Sequence, residues 1–430
     1  MSSSTSTVSY KASYADLPLA EADPEIGSLV NQELARERRN IELIASENFA
    51  AVAVLEAMGS VLTNKYAEGY PGRRFYGGCE VVDEVESLAI ERAKALFDAE
   101  HANVQPHSGS AANQAVYLAA LRPGDPVLSM ALSHGGHLTH GLDANYSGRD
   151  YRFHHYGVHR DTGMIDLDEV RAKALEHRPR LIVVGASSYP RTIDFAAFRA
   201  IADEVGAELM ADMSHIAGLV AGGAHPSPIP HCQWVTTTTH KTLTGPRGGA
   251  VFCRNEDAAR LDKAVFPGLQ GGPFQHIIAG KAVCFMLAAT EEFKAKQWLT
   301  VQNAAALAET LLEGGLNLVS GGTDNHLMVV DFRGTEMTGA RAQELLRRVG
   351  ITANKNVVPY DEQPPTVTSG LRLGTPSMTT RGFGPHEMRE VGRIIVEALV
   401  GRPTDADLDR LLRRSRVLTA AFPLYPTLGD

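Results

Sequence analysis

The chain has 430 residues, more than one hydrophobic core usually serves, so two domains are expected. Apolar residues make up 44% and charged residues 21%, which argues against disorder, and a net charge of −9 gives no electrostatic reason to expect nucleic acid or an anionic membrane as partner. The four cysteines, Cys79, Cys232, Cys253 and Cys284, form no CxxC pair, so no zinc or disulfide framework is expected and a reducing, cytoplasmic setting fits.

The opening MSSSTSTVSYKASYADLP is polar and lacks an apolar core. It is not a secretory signal and reads as a frayed or lightly docked tail. No apolar run reaches the roughly 18 residues that a membrane helix needs. Residues 24–40 predict a polar helix. From about Ala89 to Arg260, helical and strand patterns alternate. Helices are predicted at 110–121, 167–177 and 195–206. Strands are predicted at Val127–Met130, Leu181–Ala186, Glu208–Met213, Trp234–Thr239 and Ala250–Cys253. Short, nearly all-apolar strands between amphipathic helices indicate an α/β domain with a mainly parallel sheet. Residues 276–315 read as one long helical stretch. Beyond it come a strand near 326–333, a helix near 339–350, a strand near 371–375 and a mostly helical end at 385–421. The division expected is an N-terminal arm and helix over 1–65, a large domain over 66–300 and a small α+β domain over 301–430.

Ligands of such sheets sit outside the carboxyl ends of the strands. Lys241 follows a β-prone run, VTTTT, and precedes the Gly245–Pro246 break. It is either a solvated surface lysine or an amine placed to form a Schiff base with an aldehyde cofactor. Asp212 ends the apolar run ELMAD, where a carboxylate needs a partner. That partner is a helix N-terminus, a core ion pair or a pyridinium nitrogen. Ser108, Gly109 and Ser110 lead into a helix, whose exposed N–H groups and dipole suit an anion such as a phosphate.

His134, His137 and His140 are spaced three apart, which raises a metal reading. The two glycines before His137 break the helical face, and no acidic or thiolate ligand accompanies the set, so no metal is expected. His137 is instead placed to stack on a heteroaromatic ring. Glu68 lies in the Gly- and Tyr-rich loop 64–78, where a buried carboxyl group can exchange protons. The same loop also suits a subunit interface. Arg372, in TSGLRLGTP, is a fitting clamp for an α-carboxylate or one half of a surface ion pair.

In order, the chain carries IASENF, LTNKYAEGYPGRRFYGGCE, ANVQPHSGSAAN, HGGHLTHG, ADMSHIAGLVA, VTTTTHKTLTGPRGG, FPGLQGGP, SGGTDNHL and TSGLRLGTP. The series resembles serine hydroxymethyltransferase, a fold-type-I enzyme family dependent on pyridoxal 5′-phosphate (PLP), from about residue 20 onward. The resemblance implies that Lys241 holds PLP covalently, that Asp212 pairs with the pyridine nitrogen and that His137 stacks on the ring. It places Ser187 and His215 near the phenolic oxygen, and Ser108, Gly109, Ser110 and His240 around the phosphate. It implies at least a homodimer, and possibly a tetramer, whose sites are shared. Tyr66 and Gly272 would then reach the phosphate from the partner chain, while Glu68 and Tyr76 would enter the partner's substrate pocket. Ser46 and Arg372 match the substrate-carboxylate positions, and Leu132, Gly136 and Asn356 match positions contacting tetrahydrofolate. The implied reaction moves the hydroxymethyl group of serine to tetrahydrofolate, giving glycine and 5,10-methylenetetrahydrofolate.

Three residues depart from the family pattern. Phe75 stands for the first tyrosine of a Tyr-Tyr pair, Tyr360 for an asparagine and Ser214 for an alanine. They leave open a relative acting on α-methylserine, with or without folate, and a threonine-aldolase-like side activity. A non-catalytic binding protein on the same fold is the reading from another class, and the presence of Lys241 counts against it.

Overall fold

The computed structural model describes residues 16–428; the expected N-terminal tail falls largely outside them. At the centre is a seven-stranded sheet. Its strands are β1 His101–Asn103, β2 Pro126–Met130, β3 Arg152–Tyr156, β4 Leu181–Val184, β5 Glu208–Asp212, β6 Trp234–Thr238 and β7 Gly249–Cys253. The spatial order is β1-β7-β6-β5-β4-β2-β3. The run from β3 to β6 is parallel, and β7 lies antiparallel to both of its neighbours. Because β4, β6 and β7 are buried along their whole lengths, their sequences are near-continuous apolar or threonine runs without polar alternation. The α/β expectation with a mainly parallel sheet is met.

The helices follow ordinary local rules. Asp23 caps the Pro24–Arg39 helix through the Ile26 N–H, with proline at the first position. Asp166 and Asp194 cap Leu167–His177 and Phe195–Val205 in the same way. The long helix expected over 276–315 is two helices, Gln275–Ala288 and Glu291–Glu313. The break falls at Ala289–Thr290, where the Thr290 side chain accepts the Phe293 N–H and restarts the helix. The end of the chain is likewise split, into Pro385–Leu399 and Asp405–Ala421.

A second sheet is antiparallel. It comprises β8 Asn317–Leu318, β9 Leu327–Asp331, β10 Asn354–Asn356 and β11 Gly370–Gly374, in the order β8-β9-β11-β10. Its core takes in Met328, Leu373, Leu346 and Ile395, together with Leu307 and Leu311 of the Glu291–Glu313 helix. Ile41 and Leu43 are wholly buried in the same core, and Ile41–Glu42 pairs in parallel with Ile351–Thr352. Burying such aliphatic chains contributes about 1.5–3 kcal/mol each. The N-terminal segment is therefore anchored to this core before it runs on to Ser46. No helix among the described residues is long and apolar enough to cross a membrane.

Candidate active site

A cavity of about 440 Å³ opens where β4, β5 and β6 end. Lys241, Asp212, His137, His215, Ser187 and His240 line it, as do Ser108–Ser110 from the Gly109–Ala120 helix start and Ser46 and Arg372 from the second core. Strand geometry explains the convergence, since parallel strands release their chains at the same edge and each following loop turns over that edge. The two sheets meet here because Arg372 Nη1 donates to the Ser187 carbonyl at 2.6 Å, while Nη2 reaches Ser46 Oγ at 3.3 Å.

Asp212, the last residue of β5, is held by a satisfied network. Its Oδ2 accepts from Asn113 Nδ2 at 2.9 Å and from His140 Nε2 at 3.2 Å, and its Oδ1 accepts the Ser214 N–H at 3.1 Å. Burial alone pushes the carboxyl up, but the His140 imidazole, His137 and the Asn113 amide pull it far below the usual carboxylate range. Asn113 itself is fixed by donating to Thr139 Oγ1 at 2.8 Å and accepting from Thr236 Oγ1 at 2.6 Å. The Thr139 hydroxyl lies 2.8 Å from His137 Nδ1, and the Thr139 N–H also donates to that nitrogen. With Nδ1 accepting, the ring proton belongs on Nε2. Burial pushes His137 down to about 4, so the ring is neutral at pH 7.

Lys241 is buried, and burial pushes its amine down to about 8, with Asp212 pulling the other way and Arg372 and Arg247 adding to the depression. A larger share of the amine is thus uncharged and nucleophilic near neutral pH. His215 is buried too and held neutral by burial and the nearby cations; its Nδ1 meets His326 Nε2 at 3.3 Å. Arg372 is pushed down to about 10 by burial and remains a cation.

The Gly109–Ala120 helix starts inside the cavity. Ser108 Oγ accepts the Ala111 N–H, leaving earlier N–H groups of the turn without helical partners. A Cβ on Gly109 would lie 2.6 Å from Thr238 Cγ2, so only glycine lets the helix start approach β6 this closely. His240 Nδ1 is buried without a hydrogen-bond partner.

Several expected residues lie elsewhere in this chain. Tyr66, Glu68, Tyr76 and Gly272 do not line the cavity and form a separate cluster. The Tyr66 and Tyr76 rings are 4.9 Å apart, and Gly272 packs against Tyr66 while Gly271 faces Glu68. The nearby Glu68 carboxylate pushes the Tyr76 hydroxyl up. Leu132, Gly136 and Asn356 also stand outside the cavity lining. Leu132 is exposed, and Gly136 is packed so that a Cβ would meet the Met130 carbonyl at 2.3 Å. The Leu132–Gly136 turn and the Asn356–Tyr360 segment meet through His134, whose ring lies 4.7 Å from that of Tyr360. The Tyr360 hydroxyl donates to the Val158 carbonyl, and Arg160 covers its ring at 4.1 Å.

The histidine triplet divides. His134 Nδ1 accepts the Val158 N–H and faces away with Tyr360. His137 and His140 join Asp212, with ligand-type atoms within 4.8 Å of one another. Sequence reasoning missed Asn113, Thr139, Thr238 and Arg247, noted Ser214 only as a departure from the family pattern, and read His140 only as a metal candidate. The TTTT run and TGPRGG carried a signal for Thr238 and Arg247, whereas Asn113 is an unmarked residue inside a helix.

This gathering of lysine, aspartate, histidines and a helix start at one sheet edge agrees with the likeness carried by the motifs. A family model described as serine hydroxymethyltransferase matches residues 19–395. The match covers most of the 430 residues, and the chain accordingly belongs to the serine hydroxymethyltransferase family of PLP-dependent one-carbon transferases.

Proposed function

We propose that this enzyme interconverts L-serine plus tetrahydrofolate and glycine plus 5,10-methylenetetrahydrofolate, with Lys241 as the covalent anchor of PLP. The observation that carries the proposal is the single cavity shared by Lys241, Asp212, His137, Arg372 and the Ser108–Ser110 helix start. The residues fit the cofactor. The orphaned His240 Nδ1 and the free N–H groups of the turn offer donors to a phosphate, and the low-lying Asp212 carboxyl offers a lasting negative charge to a pyridinium. When bound, PLP supplies an electron sink for breaking the Cα–Cβ bond of serine.

The chain's own residues then have distinct tasks. Asp212 holds the proton on the ring nitrogen, and its hydrogen bonds to Asn113 and His140 keep it ionised and oriented. His137, neutral and clamped by Thr139, would offer its ring to the cofactor without adding a competing charge. Ser46 and Arg372 bind the substrate carboxylate, with Arg372 already pinned to the Ser187 carbonyl. Ser187 and His215 bound the phenolic-oxygen side. The cluster of exposed Tyr66 and Tyr76 with half-buried Glu68 serves the cavity of a second subunit, where Glu68 would move the proton of the hydroxymethyl group and Tyr66 would meet the phosphate. Leu132, Gly136 and Asn356 border the folate. The working form is a cytoplasmic homodimer or a tetramer of such pairs.

The test follows glycine and methylenetetrahydrofolate from L-serine, with and without tetrahydrofolate, beside α-methylserine. Fast folate-dependent serine turnover is expected. Slow serine turnover with brisk, folate-independent α-methylserine cleavage would refute the proposed substrate.

A further inference from the structure

Lys281 lies on the Gln275–Ala288 helix and is only 1% exposed. It makes no ion pair among the described residues. Its ammonium instead donates to three backbone carbonyls, Val104 at 2.6 Å, Pro106 at 3.0 Å and Gly249 at 2.8 Å. All three are committed in the fold. Val104 and Pro106 belong to the segment linking β1 to Ser108. Gly249 opens β7, and its N–H donates to the same Pro106 carbonyl. A Cβ on Gly249 would lie 2.3 Å from the Ser108 carbonyl and 3.2 Å from the Gly109 nitrogen, so this residue is pressed against the turn that starts the helix in the cavity.

A buried lysine without a carboxylate partner is costly, and a methionine of similar length would cost less if packing were its only task. The three carbonyls fill the hydrogen-bonding capacity of its charged form; burial pushes the amine down to about 7, the Glu86 carboxylate pulls the other way, and no anion is in direct contact. The same carbonyls belong to the backbone that carries the anion-binding turn, so an anion bound there and the charged form of Lys281 favour one another. Gly248, Gly249 and the 104–107 segment pack against its amine, and His107 in that segment already feels Lys281 as a neighbouring cation.

We infer that Lys281 is a positioning residue of the phosphate cradle: it ties the strand ends that carry Ser108–Ser110 and places a buried positive charge beneath them. The inference rests on the proposed reading that this turn receives the cofactor phosphate. Lys281 contacts no cofactor atom; it acts through the backbone and the field.

The test compares the affinity of apoenzyme for PLP and for pyridoxal, which lacks the phosphate, in wild type, Lys281→Met and Lys281→Gln. Both variants remove the charge, and glutamine keeps an N–H donor where methionine destabilises the fold. PLP affinity should fall about tenfold or more, the scale of one hydrogen bond to a charged group, while pyridoxal affinity stays within about twofold. Equal losses for both ligands, or no loss for either, overturn the positioning role. A wild-type protein that binds pyridoxal as tightly as PLP refutes the phosphate reading instead, so the two failures are distinguishable. A measurement without substitution uses protein carrying ζ-15N lysine. The Lys281 Nζ resonance should move on adding PLP and hold on adding pyridoxal, and an unmoved resonance with PLP also overturns the inference.

Discussion

The cavity and the Tyr66–Glu68–Tyr76 cluster are built on opposite principles. In the cavity, Asp212, Asn113, Thr139 and His137 hold one another in a chain of hydrogen bonds made within the protein alone. In the cluster, Phe75 is 74% exposed, Tyr66 55% and Tyr76 46%; the two tyrosine rings lean on each other, Phe75 leans on Phe266, and the local core is only Ala67, Cys79 and Val82. Large aromatic side chains bunched at a surface mark a place where another surface belongs. One half of the chemistry is thus pre-organised by burial; on the proposed reading, the other half is completed by a second subunit. This contrast underlies the proposal of a shared site.

Breaking the buried half should have the largest effects. Lys241→Ala should abolish covalent cofactor attachment and lower turnover by roughly three orders of magnitude or more. Borohydride reduction followed by peptide mass spectrometry checks it, and cofactor fixed to another lysine in the variant would show the anchor to be wrong. Asp212→Asn keeps the shape of the network but removes its charge. It should lower kcat by about 10²–10³-fold, with a smaller change in KM, in steady-state assays.

Lys241 also predicts how cofactor loading depends on pH. Only the neutral amine can attack the aldehyde, and burial has pushed the group down to about 8. Loading of apoenzyme should therefore rise about tenfold per pH unit below 8 and level off above it, as seen by stopped-flow absorbance. A rise continuing to pH 10 would mean that the lysine is solvated.

The smallest effect sharpens the contrast most. Glu68→Gln and Lys241→Ala proteins, each inactive alone, should regain about one quarter of wild-type activity when unfolded and refolded together in equal amounts. Half of the resulting dimers would hold one site with both native residues. No recovery would place Glu68 and Lys241 in the same subunit's site.

Much of this was legible in the sequence, for physical reasons. Strand-end residues such as Asp212 and Lys241 stand out because an ionisable group after an apolar run must have a partner. The helix start at Ser108 shows its own capping chemistry. Asn113 did not stand out, because an amide inside a helix looks like any other until Asp212 is brought to it. The split at Ala289–Thr290 was hidden by good helix formers on both sides, although Thr290 followed by Glu291 and Glu292 is a fresh helix start. The burial of Ile41 and Leu43 in the second core was illegible in principle. The run IELIA is apolar enough to be buried but names no partner, and the strand it pairs with, Ile351–Thr352, lies far along the chain.

That pairing has a consequence for synthesis. The strand at Ile41 leaves the ribosome early, yet its hydrogen-bonding partner at Ile351 is among the later residues to emerge. Ser46 and Glu47 cannot take their places at the cavity wall until that tether forms, and Arg372 emerges later still. The central sheet, whose strands end by Cys253, can assemble while translation continues. The nascent enzyme therefore carries a folded sheet edge bearing Lys241 and Asp212 for some time before the substrate-carboxylate side is closed over it. Ile41 and Leu43 of the waiting N-terminal segment lack their core throughout that interval.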